Sequence, residues 1–70
     1  MIGAVKTLKS DWGFIRGEDN QDYFFHRSTL SQGTYLEDLL VGTSVAFEPS
    51  TGERGLRAQD VMLVVEESVR

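Results

Sequence analysis

The 70-residue chain reads as an all-β protein, a small closed or nearly closed five-stranded antiparallel barrel. Strand-like runs alternate with clusters of turn-forming residues, and one longer connection follows the third run. Two aromatic clusters, Trp12-Gly13-Phe14-Ile15 and Tyr23-Phe24-Phe25-His26, sit on the second and third runs. Closing so short a sheet into a barrel removes the edges it would otherwise expose.

The first strand runs from about Ile2 to Lys9 and breaks at Ser10-Asp11. The second covers Trp12 to about Arg16. Gly17-Glu18-Asp19-Asn20 is a turn, and the third strand follows from about Asp22 to Arg27. Residues 28–42 lose the period of two. Ser31-Gln32-Gly33-Thr34 reads as loop, while Leu36, Leu39 and Leu40 stand at one-turn helical spacing. The fourth strand is about Ser44 to Glu48, the run from Pro49 to Gly55 is a hairpin loop, and the fifth strand spans about Leu56 to Glu66. On that last strand alternation turns Val61, Leu63 and Val65 inward and Met62 and Val64 outward. The outward pair is apolar and is explained by weak self-association or by cover from a loop or the tail. These elements make one domain over residues 1–70, with a core from about 2 to 66 and a short C-terminal tail.

Side chains alternate along a strand, so Trp12 and Phe14 share one face while Gly13 and Ile15 share the other. The same parity groups Phe24 with His26, and Tyr23 with Phe25. A half-buried strand needs one apolar and one polar face, yet these strands carry rings on both. One set fills a core. The other meets water or something that stacks, and the commonest such partner is an unstacked base of a single strand. The competing reading places every ring in the core. An oligonucleotide-binding-fold barrel has five strands and binds across its second and third, which are the ring-bearing strands here.

A domain of this size buries only roughly 60% of its unfolded surface. The chain has no cysteine, which excludes disulfides and thiolate metal sites and leaves the redox compartment open. No basic segment precedes an apolar stretch at the N-terminus, so no signal peptide is expected. The apolar run Val61-Met62-Leu63-Val64-Val65 is too short to span a membrane. A cytoplasmic protein is the expectation. The net charge of −4 argues against a non-specific duplex binder. Charge is unevenly placed, however: Lys6, Lys9 and Arg16 flank the first aromatic cluster, and Asp11 is the one acid among residues 1–16. Such a basic face on an acidic body gives a shallow salt dependence. Catalysis has no support. His26 is the one histidine, and the carboxylates sit on turns and strand ends without converging on a base. No ligand spacing suggests a metal.

Motif by motif, the chain resembles the bacterial cold-shock proteins and the cold-shock domain over residues 3–65. The family's Gly-x-Val-Lys opening is matched by Gly3-Ala4-Val5-Lys6, and its Lys-Gly-aromatic-Gly-Phe-Ile motif stands as Ser10-Asp11-Trp12-Gly13-Phe14-Ile15. Its Val-Phe-Val-His-Phe-Ser motif stands as Tyr23-Phe24-Phe25-His26-Arg27-Ser28. Gly42, Val45, Phe47 and Glu48 match the fourth strand, and Arg54-Gly55, Ala58 and Val61 match the closing hairpin and last strand. The resemblance implies a barrel that binds single-stranded RNA or DNA by stacking and serves as an RNA chaperone or regulator of transcription or translation, with no catalysis and no cofactor. It places base stacking on Trp12, Phe14, Phe24 and His26, with Tyr35 as a loop aromatic, and backbone contacts on Lys6 and Arg54. Arg27, where the family has an aromatic, is expected to stack on a base and attract phosphate; Lys9 is expected to contact phosphate.

Four departures bear on affinity. Thr7-Leu8 stand where the family has two aromatics, Ser10-Asp11 replace lysine and glycine, Arg27 replaces a ring, and Gly55-Leu56 replaces glycine-proline. Losing rings at Thr7 and Arg27 removes roughly 2–6 kcal/mol of stacking, of which Arg27 recovers part. A weaker binder, monomeric or weakly dimeric, is expected. The alternative function is a divergent barrel using the same face for a protein partner; Leu36-Glu37-Asp38-Leu39-Leu40 matches a short Leu-x-x-Leu-Leu pattern, which a turn closing the barrel end explains better.

Overall fold

The structure is a computed structural model, and it describes residues 1–53 and 55–64. Five strands, β1 (Ile2–Leu8), β2 (Trp12–Gly17), β3 (Asp22–His26), β4 (Ser44–Gly52) and β5 (Gly55–Leu63), close into a barrel in the order β1-β2-β3-β5-β4. The sheet is not antiparallel throughout, as the sequence reading had it. β3 pairs with β5 in parallel at Phe24 and Arg57, and Leu30 bridges Val61 in the same sense. Closure requires this. Strand directions cannot alternate all the way round a ring with an odd number of strands, so one junction must be parallel.

The core consists of Val5, Ile15, Tyr23, Phe25, Leu36, Leu39, Val45, Phe47, Ala58 and Val61. Tyr23 and Phe25 point inward as their parity requires, and the Tyr23 ring packs on Phe47 with centroids 5.0 Å apart. Gly13 lies opposite Phe25 in the β2–β3 register. A Cβ there would collide with the Thr7 carbonyl oxygen and lie 3.0 Å from the Phe25 ring, so only glycine lets β1 and that ring close on β2 at this point.

Two irregularities turn the strands round the barrel. In β1 the register with β2 shifts between Val5 and Thr7, leaving Lys6 as the extra residue. Val5 faces the core, Thr7 pairs with Phe14 and Leu8 pairs with Gly13. In β5, Asp60 and Val61 oppose the single residue Phe47, and Asp60 takes a left-handed φ of 50°. Ala58 and Val61 can then both point inward although they are three residues apart.

β4 runs on to Gly52, where the sequence suggested a loop from Pro49. Beyond Phe47 this strand has only β5 as a neighbour, so the missing N–H of Pro49 leaves no ladder bond unmade. At the other boundary β3 stops at His26, and Arg27–Thr29 forms a 3-10 turn. A second 3-10 turn, Leu36–Asp38, closes one end of the barrel. Its three-residue period buries Leu36 and Leu39 and leaves Leu40 at 70% exposure, so only two of the three leucines at helical spacing reach the core. Met62 and Val64 face outward as alternation requires. Val65, Glu66 and the tail lie outside the described residues.

Gly13→Ala should destabilise the fold by about 1–3 kcal/mol through its clash with the Thr7 carbonyl oxygen and overpacking against Phe25. For so small a domain that lowers Tm by roughly 4–8 °C per kcal/mol. Thermal unfolding followed by circular dichroism reads the effect, and an unchanged Tm would mean that the Gly13–Phe25 contact does not set the sheet.

Candidate nucleic-acid interface

The outer faces of β2 and β3 are built by register. Trp12 pairs with His26, Phe14 with Phe24 and Arg16 with Asp22. The inward partners on the same strands are Gly13 with Phe25 and Ile15 with Tyr23. Trp12, Phe14 and Phe24 form one continuous platform. Their centroids are 5.8 Å apart for Trp12–Phe14, 5.8 Å for Trp12–Phe24 and 5.9 Å for Phe14–Phe24. All three rings are half-buried, with their inner edges on the sheet and their outer surfaces accessible.

His26 closes the Trp12 end of this face. Its Nδ1 accepts the Ser28 amide at 3.1 Å and so caps the first 3-10 turn. With that lone pair engaged, the neutral ring carries its proton on Nε2. Tyr35 is 60% exposed, immediately before the second 3-10 turn, and forms no ring pair with the platform. Thr7 stands beside Phe14 where one more ring would extend the platform along β1.

Most of the cations singled out in the sequence are engaged by carboxylates. Lys6 Nζ donates to Asp22 Oδ2 at 2.8 Å, and Arg16 Nε donates to Asp22 Oδ1. Arg27 donates to Asp11 at 3.4 Å and to Glu37 at 3.1 Å, tying the β1–β2 turn to the 3-10 turn at the barrel end. Lys9 is exposed with no ion-pair partner among the described residues, and it lines a shallow hollow with Leu8, Ser10, Leu36 and Glu37. Arg54 lies outside the described residues.

Two contributors were not singled out in the sequence. Asp22 was legible by parity, since it alternates with Phe24 and His26. Arg57 was not, because only the parallel β3–β5 junction brings it to the platform. Its guanidinium carbon lies over the Phe24 ring, 5.5 Å from the centroid. Phe14, Asp22, Phe24, Leu56 and Arg57 line a groove of about 520 Å³.

The hydrogen bond from Arg16, followed by that from Lys6, holds the Asp22 carboxyl below its usual range. The Tyr23 hydroxyl, donating to Asp19 Oδ2 at 2.6 Å, lowers Asp19 in turn, and the Tyr23 phenol rises through the same bond.

Among the described residues no three His, Asp or Glu side chains converge to hold a metal ion, and no helix is long and apolar enough to cross a membrane.

The architecture is the five-stranded oligonucleotide-binding barrel. Drosophila Unr CSD456 shares it at a TM-score of 0.74 and 24% identity, covering 99% of this chain and 28% of that one. Residues 1–64 match the family described as 'Cold-shock' DNA-binding domain. Cold shock protein 1 of Lactiplantibacillus plantarum is 37% identical over 62 residues, 86% of this chain and 92% of that relative. The major cold shock protein CspA of Pseudomonas aeruginosa is 38% identical over 64 residues, 89% of this chain and 91% of its own. The chain belongs to the cold-shock domain family, whose members are nucleic-acid-binding proteins and not enzymes.

A carboxyl whose pKa is lowered on folding favours the folded state while it is ionised. The contribution of Asp22 is therefore complete above the unfolded aspartate value of about 3.9 and is lost as pH falls through it toward the lower native value. Asp22→Asn should flatten the acid limb of stability, read as urea midpoints between about pH 5 and pH 2. An acid limb as steep as wild type would mean that Asp22 has no part in it.

Proposed function

We propose that the outer face of β2 and β3 binds single-stranded RNA or DNA by stacking bases on Trp12, Phe14 and Phe24, with His26 extending the platform, and that the protein acts as an RNA chaperone or a regulator of transcription or translation. The observation that carries this reading is the three-ring platform, half-buried on the outside of a barrel whose core is already filled by a separate set of apolar residues. Every base has a flat face, so stacking of this kind holds a strand with little regard to sequence. Arg27 and Tyr35 flank the platform from the loops, and Lys6, Lys9 and Arg54 supply charge for the backbone.

Engaged cations make a weak electrostatic contribution. A phosphate must displace Asp22 from Lys6, and Asp11 or Glu37 from Arg27, before it gains a charge contact. The same ion pairing favours a second reading, in which the rings meet a protein partner. Nucleic-acid binding weakens steadily with salt, whereas an aromatic protein interface barely responds.

Titration of oligothymidine or oligouridine at low salt should quench Trp12 fluorescence, and added salt should reverse the quenching. Phe14→Ala and Phe24→Ala should each cost about 1–3 kcal/mol of that affinity. No response up to high micromolar oligonucleotide, with the protein folded, would favour the protein-partner reading; unchanged affinity in the folded double variant would remove the stacking platform.

Freeing Arg27 should tighten binding. Asp11→Asn combined with Glu37→Gln is expected to raise oligonucleotide affinity by roughly two- to fivefold, the worth of exposed ion pairs no longer in competition with phosphate. Fluorescence titration at fixed salt checks it, and weaker binding would show that the two carboxylates serve to hold Arg27 in place.

A further inference from the structure

Among the described residues, the Arg57 guanidinium is the one cation lying over a platform ring that no carboxylate engages. Lys6 and Arg16 share Asp22, and Arg27 is divided between Asp11 and Glu37, but Arg57 has no ion-pair partner among the described residues. Its Nε is buried without any hydrogen-bond partner. A donor on a charged group left in that state is costly, and such costs are usually met by a ligand or by water.

The fold holds the side chain where it is. Arg57 faces Phe24 across the parallel junction, and its stem lies against Gly52, where a Cβ would fall 2.6 Å from Cδ and 3.4 Å from Cγ. With Gly52 making room for the stem and Phe24 supporting the guanidinium, the planar fork is fixed at the rim of the groove bounded by Phe14, Asp22, Phe24 and Leu56.

The groove therefore has flat apolar walls, a donor fork and a carboxylate on its lining. A flat ligand that fits must offer paired acceptors to the fork, and donors to Asp22 complete the match. In a single strand every edge of a base is open. Guanine presents two adjacent acceptors, O6 and N7, followed by two donors, N1–H and N2–H₂, which match both the fork and the carboxylate. Cytosine presents two adjacent acceptors, O2 and N3, followed by the single donor N4–H₂. Thymine and uracil lack the adjacent acceptor pair, and adenine replaces one acceptor with a donor.

We propose that this groove is a guanine-reading subsite, in which Arg57 gives an otherwise sequence-tolerant platform a preference at one position of the strand. The inference rests on the reading that the ring face binds single strands.

The test is a set of oligothymidine heptamers carrying one guanine, adenine or cytosine at each position in turn, titrated by Trp12 fluorescence. Wild type should bind the guanine oligomer roughly tenfold tighter than plain oligothymidine at one position, with a smaller gain for cytosine, which offers one donor fewer, and none for adenine. In Arg57→Ala that guanine-to-thymine ratio should fall to about one. Arg57→Lys keeps charge and stem without the fork and should also lose most of the ratio, which preserves the test if the alanine variant folds poorly. A flat profile in wild type that still binds oligothymidine overturns the guanine subsite and leaves the ring platform standing. Absence of binding to every oligomer overturns the platform and the subsite together. A guanine preference that survives in Arg57→Ala, or an equal loss on all sequences with a shallower salt slope, overturns the role of Arg57; the latter makes it a phosphate contact.

Discussion

The contact of Phe25 with Gly13 is the constraint on which the rest of the structure depends. Phe25 is fully buried, and a Cβ at position 13 would collide with the Thr7 carbonyl oxygen and crowd the Phe25 ring at 3.0 Å. That fixes the inward face of β2 and β3 at once, because a slip of one residue in either strand would bring Phe24 or Phe14 into the core and expel the others. With Gly13 and Phe25 inward, Ile15 and Tyr23 follow them, and Trp12, Phe14, Phe24 and His26 are left outside. The core contact and the candidate interface are therefore two consequences of one register.

Curvature supplies the remaining geometry. A strictly alternating β1 would put Thr7 on the core side after Val5. The extra residue at Lys6 instead brings Thr7 next to Phe14 on the outside and Leu8 against Gly13 on the inside. The corresponding step at Asp60 lets Ala58 and Val61 both contribute to the core. An odd number of strands then forces the parallel junction, and that junction is what delivers Arg57 to Phe24. The charged rim of the platform thus follows from closing the barrel, not from any local motif.

This divides what was legible in the sequence from what was not. The period of two in residues 12–15 and 23–26 was sufficient to separate core rings from outer rings, since parity is local to each strand. Turn formers placed the β2–β3 connection at Gly17–Asn20, where Asn20 takes a left-handed φ of 66°. The same local rules misplaced the start of the last hairpin, because Pro49 reads as a breaker unless one knows that β4 has lost its β1 neighbour by that point. They also counted Leu40 with Leu36 and Leu39, since a 3-10 turn and an α-helical turn share most of their spacing. Ion pairing was the least legible feature. Lys6 lies 16 residues from Asp22 in sequence, and Arg27 the same distance from Asp11. Only the assembled sheet and turns show that Lys6 and Arg16 share the Asp22 carboxylate and that Arg27 is held by Asp11 and Glu37.

That ion pairing sets the balance of forces at the candidate interface. Exposed ion pairs are worth about 0–1 kcal/mol each, so a phosphate that displaces one exchanges a weak contact for a similar one and gains little. Each stacked base is worth about 1–3 kcal/mol. The net charge of −4 opposes an approaching polyanion at long range, but at physiological salt this repulsion is screened within about 8 Å. Close contacts decide the outcome, and those are aromatic. On the proposed reading this face holds a strand through its bases more than its backbone, which makes its affinity sensitive to what unstacks a base and gives it a shallow but measurable salt dependence. For the proposed role as an RNA chaperone, the arrangement has a physical advantage. Stacked bases are released one at a time as each unstacks, whereas a dense phosphate clamp must lose many coupled contacts together.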